Sequence, residues 1–419
     1  MKILLSAYAC EPGKGSEPGV GWHWLLELLK LGHEVHVVTR CNNRSNIEAG
    51  LQCVAGADRA RFYYVDLPSW ALFWKRTQYL INLYYPVWQW LAYRKMKSVH
   101  RQQLFDCVHH ITFGVFRHFS LMGRLGIPFV FGPVGGGEAT PGPLRKHYPL
   151  GGRFADWLRD RLNDTARINP FLWQTYAQAS LIYGKTNETV NWVPQRYRHK
   201  AHQLIEIGLD PSFVAPAPKP YDGQEPFKLL YVGRLLFLKG LPLGLDAFKA
   251  LLAVKPDASL TLIGRGPERQ RLEAHVQRLG IGAHVEWIDW VAHDDLAGIY
   301  RQYHAFLFPS LHDSSGNALL EAMGSGLPVV CFNLGGPGVM VTNACGRVVP
   351  VQALDGRYLD EATVTKGMAQ ALIELATHPD LRHQLACGAI VQAKKLNWAY
   401  PVRQVYELDL PAVLAETIS

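Results

Sequence analysis

The chain has 419 residues, of which 48% are hydrophobic and 19% are charged. This composition is ordinary for a globular protein, and the length exceeds what one hydrophobic core usually serves, so we expect two domains. The seven cysteines are odd in number and widely dispersed, and they lack the spacing of a zinc site, which indicates free thiols in a reducing cytosol. The first residues lead directly into an apolar strand, so we expect no signal peptide.

The net charge of +8 is unevenly distributed along the chain. Residues 1–215 hold 25 Lys and Arg against 15 Asp and Glu, whereas the remaining residues hold 18 against 20. A basic first half suggests an anionic membrane surface, a phosphorylated acceptor or nucleic acid as a partner. No nucleic-acid recognition motif supports the last of these, so we expect no nucleic acid.

The first half predicts a parallel α/β sheet, because a strand at residues 2–7, a helix at 22–31 and a strand at 33–39 form a βαβ unit. The glycine-rich loop between the first strand and the helix contains Gly13, Lys14 and Gly15. Its third glycine stands one place late for a dinucleotide fingerprint, and no acidic residue ends the second strand. The pattern therefore disfavours a nicotinamide site and favours a loop that closes over a phosphate or a sugar.

Residues 69–101 include an uncharged stretch, residues 77–93, that is rich in Tyr and Trp. It is too short and too often interrupted by polar residues and proline to span a membrane. Two interpretations stay open: a helix that lies in the membrane interface, or a helical hairpin whose aromatic residues pack into the domain. The cations that flank the stretch are Lys75, Arg76, Arg94, Lys95 and Lys97.

Two more features of the first half stand at the ends of predicted strands. His109 and His110 end a strand that begins at residue 105, and parallel sheets bind their ligands at this edge. Three consecutive glycines, among them Gly136, precede Glu138 after a strand that begins at residue 128. Such glycines indicate close backbone approach, to a ligand or to a facing domain.

A proline-rich linker at residues 214–226 precedes a second series of strands and helices. The loop after its first strand carries two cations, Arg234 and Lys239. The alternation of elements is that of a second parallel α/β domain, and residues 381–419 are predicted to be mainly helical. Strands are predicted at residues 227–232, 259–263, 284–288, 305–308 and 328–331.

The stretch from residue 305 to residue 328 combines a buried strand, a polar turn and a helix that begins near Asn317. The first backbone N–H groups of a helix have no partner inside it, so the turn and the helix N-terminus predict an anion site. Asp313 on the turn and Glu321 in the helix are suited to accept hydrogen bonds from sugar hydroxyls beside a bound phosphate. The alternative is a surface aspartate and a helix-capping glutamate.

Four features of the second half resemble the retaining glycosyltransferases of family four in order and spacing. They are the loop Gly233-Arg234 to Lys239-Gly240, the sequence Gly264-x-Gly266-Pro267, the strand ending in Pro309-Ser310, and the acids Asp313 and Glu321 followed by Gly326-x-Pro328. The glycine-rich loop, a strand-end histidine and Gly-Gly-Gly-Glu in the first half resemble a subset of the same family. The resemblance covers nearly the whole chain.

The resemblance implies an α/β protein of the glycosyltransferase-B fold, with two facing Rossmann-like domains. An acceptor-side domain would occupy residues 1–215, a linker 216–226, and a nucleotide-sugar domain 227–395. A C-terminal helix, residues 396–419, would pack on the first domain.

The resemblance also implies a nucleoside-diphosphate sugar as donor, UDP or GDP most often, with no metal and no cofactor. Arg234 and Lys239 would hold the diphosphate, and their charges would neutralise it as it leaves. Glu321 would bind the ribose hydroxyls and Asp313 the sugar hydroxyls. Further donor contacts are expected at Gly15, Gly233, Gly264, Gly266, Ile288, Ser314, Ser315, Gly316 and Asn317.

By the same resemblance, the catalytic residues would be His110, Asp313, Arg234 and Lys239. The acceptor-side residues would be Gly13, Lys14, His109, Gly136 and Glu138. Two departures stand out. The first acid of the family is usually Glu followed by Gly-Phe-Gly, whereas Asp313 is followed by Ser-Ser-Gly here, and the family's His-x-His becomes two adjacent histidines.

The implied function is that of a retaining, metal-independent hexosyltransferase that moves a sugar to a glycan or a lipid-linked acceptor. Retention in this family is attributed to front-face attack, in which the leaving phosphate takes the proton of the acceptor hydroxyl. The implied location is the cytoplasm or the inner face of a membrane. Two alternatives are a nucleotide-sugar epimerase of the same fold and a non-catalytic scaffold that binds a sugar nucleotide or a glycan.

Overall fold

A computed structural model of the protein describes residues 1–68 and 81–418. They form two compact units. Unit 1 comprises Met1–Gly137, Arg161–Ile207 and Trp398–Ser419, and unit 2 comprises Glu138–Asp160 and Gly208–Asn397.

Both units are built from parallel strands and helices. The strands are β1 (Lys2–Ala7), β2 (Glu34–Thr39), β3 (Ala60–Tyr64), β4 (Cys107–Thr112), β5 (Phe129–Val134), β6 (Leu181–Gly184), β7 (Ala201–Gln203), β8 (Lys228–Val232), β9 (Ser259–Ile263), β10 (Val285–Ile288), β11 (Ala305–Phe308), β12 (Val329–Phe332) and β13 (Gly346–Val349). The helices are α1 (Ser16–Lys30), α2 (Arg44–Leu51), α3 (Ile81–Gln103), α4 (Leu150–Asp164), α5 (Pro170–Gln178), α6 (Asn187–Asn191), α7 (Leu241–Leu252), α8 (Arg269–Leu279), α9 (His293–Tyr300), α10 (Asn317–Gly324), α11 (Gly335–Met340), α12 (Glu361–Thr377), α13 (Pro379–Lys395), α14 (Ala399–Arg403) and α15 (Leu410–Ile418).

The sheet of unit 1 has the order β3-β2-β1-β4-β5-β6-β7, and the sheet of unit 2 has the order β10-β9-β8-β11-β12-β13. The inner strands are short apolar runs with residues buried on both faces, as in β1 and β11. In each sheet the order reverses once, between β1 and β4 in unit 1 and between β8 and β11 in unit 2. Ligands of doubly wound sheets bind outside the carboxyl ends of the strands at this switch point.

The first helix begins earlier than the sequence predicts. α1 starts at Ser16 instead of residue 22, so the glycine-rich loop after β1 is shorter than expected. Its first turns pack tightly on that loop: a Cβ at Gly19 would lie 2.2 Å from the carbonyl oxygen of Lys14, and one at Gly21 would lie 2.2 Å from that of Ala9. These two glycines therefore serve helix packing, which explains why they resemble a loop sequence.

The boundary between the units differs from the expected one in two places. Unit 2 already begins at Gly208, and the proline-rich segment packs on it: the N–H of Ala215 donates to the carbonyl oxygen of Gly324 at 2.9 Å. The second difference is residues 138–160, expected in the first domain but belonging to unit 2. Leu144 and Tyr148 of this insertion are buried in the core of unit 2.

The aromatic segment is described from residue 81 onward, so Lys75 and Arg76 and the first part of the uncharged stretch lie outside the described residues. α3 buries Tyr84, Tyr85 and Trp88 in the core of unit 1. Leu83, Val87 and Trp90 are exposed on another face of the same helix. The packing interpretation therefore holds for one face of α3. None of the described helices is both long enough and apolar enough to cross a membrane.

Candidate functional site

The switch point of unit 2 brings together two of the predicted loops. β8 and β11 are paired neighbours, so the loop after β8, which carries Arg234 and Lys239, lies beside the loop after β11, which carries Asp313. Each loop follows a strand whose apolar sequence fixes its position in the sheet. The predicted cations and the predicted acid therefore meet at one edge of one sheet.

Lys239 and Asp313 form a direct ion pair. The Nζ of Lys239 lies 2.6 Å from Oδ2 of Asp313, and both side chains are largely buried. Gly240 permits this approach: its φ of 59° is in the left-handed region, and a Cβ there would lie 2.1 Å from the carbonyl oxygen of Pro309. A cation and a carboxylate at this spacing can bind a phosphate and a hydroxyl of one ligand.

Arg234 is exposed at the end of β8. Its carbonyl oxygen accepts a hydrogen bond from the buried Tyr231 hydroxyl at 3.1 Å, which fixes the backbone at this position. Among residues 1–68 and 81–418, no hydrogen-bond or ion-pair partner of its guanidinium group is found. The side chain is thus anchored at its backbone and available to a ligand at its charged end.

The predicted glycines of the neighbouring loop are required by packing. A Cβ at Gly264 would lie 1.9 Å from the carbonyl oxygen of Gly233, and one at Gly266 would lie 2.1 Å from that of Leu235. The N–H of Gly264 donates to the carbonyl oxygen of Ile288 at 2.8 Å, which links the loop to the end of β10. Gly264 and Gly266 therefore shape the site by letting the loops after β8 and β9 lie against each other.

The helix N-terminus predicted after the polar turn is present. α10 begins at Asn317, and its cap residue, Gly316, provides no side chain to bond the first helical amides. The turn before it is braced by α11, because the N–H of Gly336 donates to the carbonyl oxygen of Asp313 at 2.8 Å. Ser314 and Ser315 lie on this turn, between the ion-paired Asp313 and the helix.

Glu321 lies on α10 beside Tyr300 of α9. The hydroxyl of Tyr300 donates to Oε2 of Glu321 at 3.2 Å. Burial raises the pKa of Glu321, and the nearby His293 partly offsets this effect. A buried carboxylate with one fixed donor is suited to accept further hydrogen bonds from a ligand, because each of them offsets the cost of its burial.

A cavity of about 580 Å³ opens beside this edge, at the ends of β8 and β9. Its lining includes the predicted residues Gly233, Arg234 and Gly264. Trp290 and His293 complete its wall, and the indole of Trp290 is 68% exposed. The sequence analysis did not identify either residue as part of the site.

Glu138 lies beside the turn that carries Asp313, in unit 2. It was expected on the acceptor side of the first domain, but it belongs to unit 2. Its side chain is buried, and its Oε2 accepts a hydrogen bond from the Ser314 hydroxyl at 2.7 Å. The chain leaves unit 1 directly after the three glycines, so Glu138 reaches a turn that is 176 residues away in the sequence.

His109 and His110 are both buried in unit 1. The Nε2 of His109 is 2.6 Å from the carbonyl oxygen of Gly132, and its Nδ1 is 2.9 Å from the hydroxyl of Tyr406. Burial lowers the pKa of His109 to about 3 and that of His110 to about 4, so both rings are neutral at physiological pH. These two hydrogen bonds give His109 a structural role. The role of His110 toward a sugar stays a prediction.

The remaining predicted residues of unit 1 lie on loops at its sheet edge. Gly13, Lys14 and Gly15 are exposed, and Gly15 is the cap residue of α1. Gly136 has a φ of 91°, which explains the glycine there. The close approach expected of the three glycines is made within unit 1, because a Cβ at Gly137 would lie 2.7 Å from both Thr189 and Trp192.

Sequence reasoning missed Tyr300, Trp290 and the place of Glu138. The predicted donor contact Ile288 lies two residues before Trp290, and an exposed tryptophan after a strand was the available signal. No local signal marks Tyr300, because it is one of several aromatic residues on α9 and the adjoining strand. Among the described residues, no group of three or more His, Cys, Asp or Glu is arranged to hold a metal ion.

Residues 218–386 match the family model described as "Glycosyl transferases group 1". Glycogen synthase of Mycobacterium tuberculosis is 31% identical over 141 residues, which are 33% of this chain and 34% of that protein. The chain thus spans about a third of the length of this curated relative.

Solved structures resemble the whole chain. Sucrose-phosphate synthase of Thermosynechococcus elongatus has a TM-score of 0.59 at 18% identity and covers 99% of both chains. The Anabaena protein HepE, solved in complex with UDP, has a TM-score of 0.57 at 15% identity and covers 100% of this chain and 99% of its own. The two parallel α/β units and this likeness show that the chain has the glycosyltransferase-B fold.

Proposed function

We propose that the protein is a glycosyltransferase that binds a nucleoside-diphosphate sugar in unit 2 and transfers its sugar to a glycan or lipid-linked acceptor. The observation that carries this proposal is the position of Arg234, Lys239 and Asp313 on neighbouring loops at the switch point of one parallel sheet, with Glu321 on the helix that follows the Asp313 turn. The match of residues 218–386 to a glycosyltransferase family model supports it, because that range contains all four residues.

Each of these groups has a physical role in such a reaction. The leaving group carries the charge of a diphosphate, and Arg234 and Lys239 supply a bidentate fork and a compact cation to stabilise it. Binding of the diphosphate by Lys239 would loosen its ion pair with Asp313. Asp313 would then accept a hydrogen bond from a hydroxyl of the donor sugar.

The cavity beside β8 and β9 is the place proposed for the nucleobase. Trp290 offers an exposed indole on which a base can stack, and Glu321, which is close enough to the cavity residue His293 to interact with it electrostatically, would bind the attached ribose. Stacking on an aromatic residue contributes about 1–3 kcal/mol per base. Trp290→Ala is therefore expected to weaken binding of the nucleoside diphosphate while leaving binding of inorganic pyrophosphate unchanged. Tyr358→Ala, which removes another exposed aromatic ring of unit 2, is the matched control.

Several finer features are part of the proposal: membership of family four, retention at the anomeric carbon, and catalysis without a metal. They are motivated by the order and spacing of the motifs and by two cations positioned to act in place of a metal. Detection of the product anomer by NMR tests retention, and activity in the presence of excess chelator tests metal independence.

A location on the inner face of a membrane is also proposed. The basic first half and the exposed face of α3 support it, since Leu83, Val87 and Trp90 are exposed and the guanidinium of Arg94 lies 4.7 Å from the ring centre of Trp90. An amphipathic aromatic ring beside a cation suits the boundary between lipid headgroups and acyl chains.

A thermal-shift screen against UDP, GDP, ADP, CMP and their common sugar conjugates tests the central proposal. A ligand that binds only the native state raises the unfolding temperature by mass action. We expect a selective rise with one nucleoside diphosphate and its sugar conjugate. Absence of a shift with every compound would contradict a nucleotide-sugar site.

A further inference from the structure

Helix α4 exposes apolar residues and buries polar ones, which is the reverse of an ordinary surface helix. Its outward stripe consists of Leu150, Phe154 and Trp157, which are 83%, 63% and 52% exposed. These positions are spaced i, i+4 and i+7, so they lie one above the other on one face. An ordinary surface helix buries such a stripe and leaves its polar residues in water.

The inward face of α4 is polar instead. Asp156 is fully buried, and its carboxylate is paired with Arg145 at 3.1 Å and with Arg159 at 2.6 Å. Gly152 is also buried and lies against Phe237, which lets the helix approach closely. The charged network fixes which face points inward, so the outward orientation of the apolar stripe is set by the fold.

Positive charge surrounds the stripe. Lys146 and Arg153 are exposed, and the guanidinium of Arg153 donates to the carbonyl oxygen of Lys146 at 2.7 Å. Asp160 is directed to Arg145 at 2.9 Å. The cations beside the apolar residues thus match an anionic surface with an apolar interior.

We infer that α4 carries a docking surface of unit 2 for an anionic lipid bilayer, in which Leu150, Phe154 and Trp157 enter the headgroup boundary and Lys146 and Arg153 contact lipid phosphates. The stacked pair of Phe154 and Trp157, with ring centres 5.9 Å apart, forms the apolar centre of this surface. The choice of lipid as occupant rests on the proposed function, since a lipid-linked acceptor resides in a membrane. The spacing of Leu83, Val87, Trp90 and Arg94 on α3 repeats that of Leu150, Phe154, Trp157 and Arg161.

The test is co-sedimentation of the full chain with vesicles of equal parts phosphatidylcholine and phosphatidylglycerol, and with vesicles of phosphatidylcholine alone. We expect binding to the anionic vesicles that weakens with added salt. Phe154→Ala and Trp157→Ala are each expected to lower the partition coefficient about tenfold, since each removes a large part of an apolar side chain from the interface. Arg153→Glu is expected to lower binding to anionic vesicles only.

Tyr358→Ala and Leu354→Ala, which truncate exposed apolar side chains elsewhere in unit 2, are the matched controls and are expected to bind like the parent. Unchanged binding of the Phe154 and Trp157 variants would overturn the inference. So would a parent dimer in sedimentation equilibrium that these substitutions dissociate, because the stripe would then contact a second copy of the chain. Binding of nucleoside diphosphate is measured on the same preparations, so loss of vesicle binding with intact nucleotide binding separates this surface from the donor site.

Discussion

The sheet edges of the two units show how differently similar sequence signals can be used. In unit 2, Lys239, Asp313 and Arg234 come from loops after neighbouring strands; Lys239 pairs with Asp313, and Arg234 lines a cavity. In unit 1, two charged side chains near the strand ends bind other groups of the same unit. Glu17 accepts a hydrogen bond from the N–H of Gly114 at 2.6 Å, and Lys185 pairs with Glu206 at 2.7 Å.

The comparison shows that a position at the end of a strand predicts where a charged residue lies, but not whether that residue is free to bind a ligand. A charged residue at the carboxyl edge of a parallel sheet can bind a ligand or can support the fold, and only its partners distinguish the two. On this criterion we propose the donor site in unit 2, because Arg234 is exposed and lines the cavity there. The predictions that follow test this contrast, from the largest expected effect to the smallest.

Removal of either donor-site cation should have the largest effect. Arg234→Ala and Lys239→Ala are each expected to weaken binding of the nucleoside diphosphate by about 1.5–3 kcal/mol, the contribution of a hydrogen bond to a charged group. Isothermal titration calorimetry measures the change. Lys249→Ala, an exposed lysine on α7, is the control and should bind like the parent. Equal affinity in all three variants would place the diphosphate elsewhere.

The packing role of the loop glycines predicts an effect on stability. Gly240→Ala forces a Cβ toward the carbonyl oxygen of Pro309 at a left-handed φ, so we expect a loss of about 2 kcal/mol in unfolding free energy. Gly298→Ala in α9 meets nothing within 4 Å and is expected to be neutral or stabilising by up to about 1 kcal/mol. Thermal unfolding compares the two, and a neutral result for Gly240→Ala would contradict the packing argument.

Substitution of Glu321 should raise the stability of the protein and weaken its binding of the nucleotide. Because its pKa is raised in the folded protein, folding favours the protonated carboxyl, whose stabilising contribution is present below the ordinary Glu pKa of about 4.3 and is lost as pH rises through the raised value. Glu321→Gln mimics the protonated form. We therefore expect it to unfold at a higher temperature than the parent near neutral pH, with the difference shrinking in acid. The same variant should bind the nucleotide about three- to tenfold more weakly, since a charged acceptor becomes a neutral one.

Substitution of Glu138 is expected to have the smallest effect. It distinguishes most clearly between a role in donor binding and the predicted role in acceptor binding. Glu138→Gln keeps the shape of the side chain but weakens its bond to the Ser314 hydroxyl, so we expect KM for the donor to rise by a few fold, about 1 kcal/mol or less. KM for the acceptor should stay unchanged. Lys14→Ala, which removes a predicted acceptor-side residue of unit 1, is the variant for comparison. A change confined to the acceptor KM of Glu138→Gln would support the original acceptor-side expectation.

Much of the fold could be predicted because it depends on local patterns. Short apolar runs between helices predicted the parallel strands, and the order of motifs after residue 227 predicted the loops that meet at the switch point. The sequence analysis assigned Lys239 to the diphosphate and Asp313 to the sugar but did not predict their ion pair, which depends on β8 and β11 being neighbours in the sheet.

Other features could not be predicted because they depend on contacts between distant parts of the chain. The bond from Ser314 to Glu138 exists only because residues 138–160 leave unit 1 and pack on unit 2. Likewise, the burial of His109 depends on Tyr406, which lies 297 residues away in the sequence. The early start of α1 was hidden because glycines that permit tight helix packing resemble glycines of a loop.

Hydrogen–deuterium exchange of the full chain, with and without the nucleoside diphosphate selected by the thermal-shift screen, tests the contrast between the units most directly. The account predicts that the ligand protects amides of the loops at residues 233–240, 264–268, 288–293 and 313–321 in unit 2. Protection confined to the loops at residues 8–15 and 113–118 of unit 1 would contradict it, because the nucleotide would then bind at the edge where we find the polar groups already engaged.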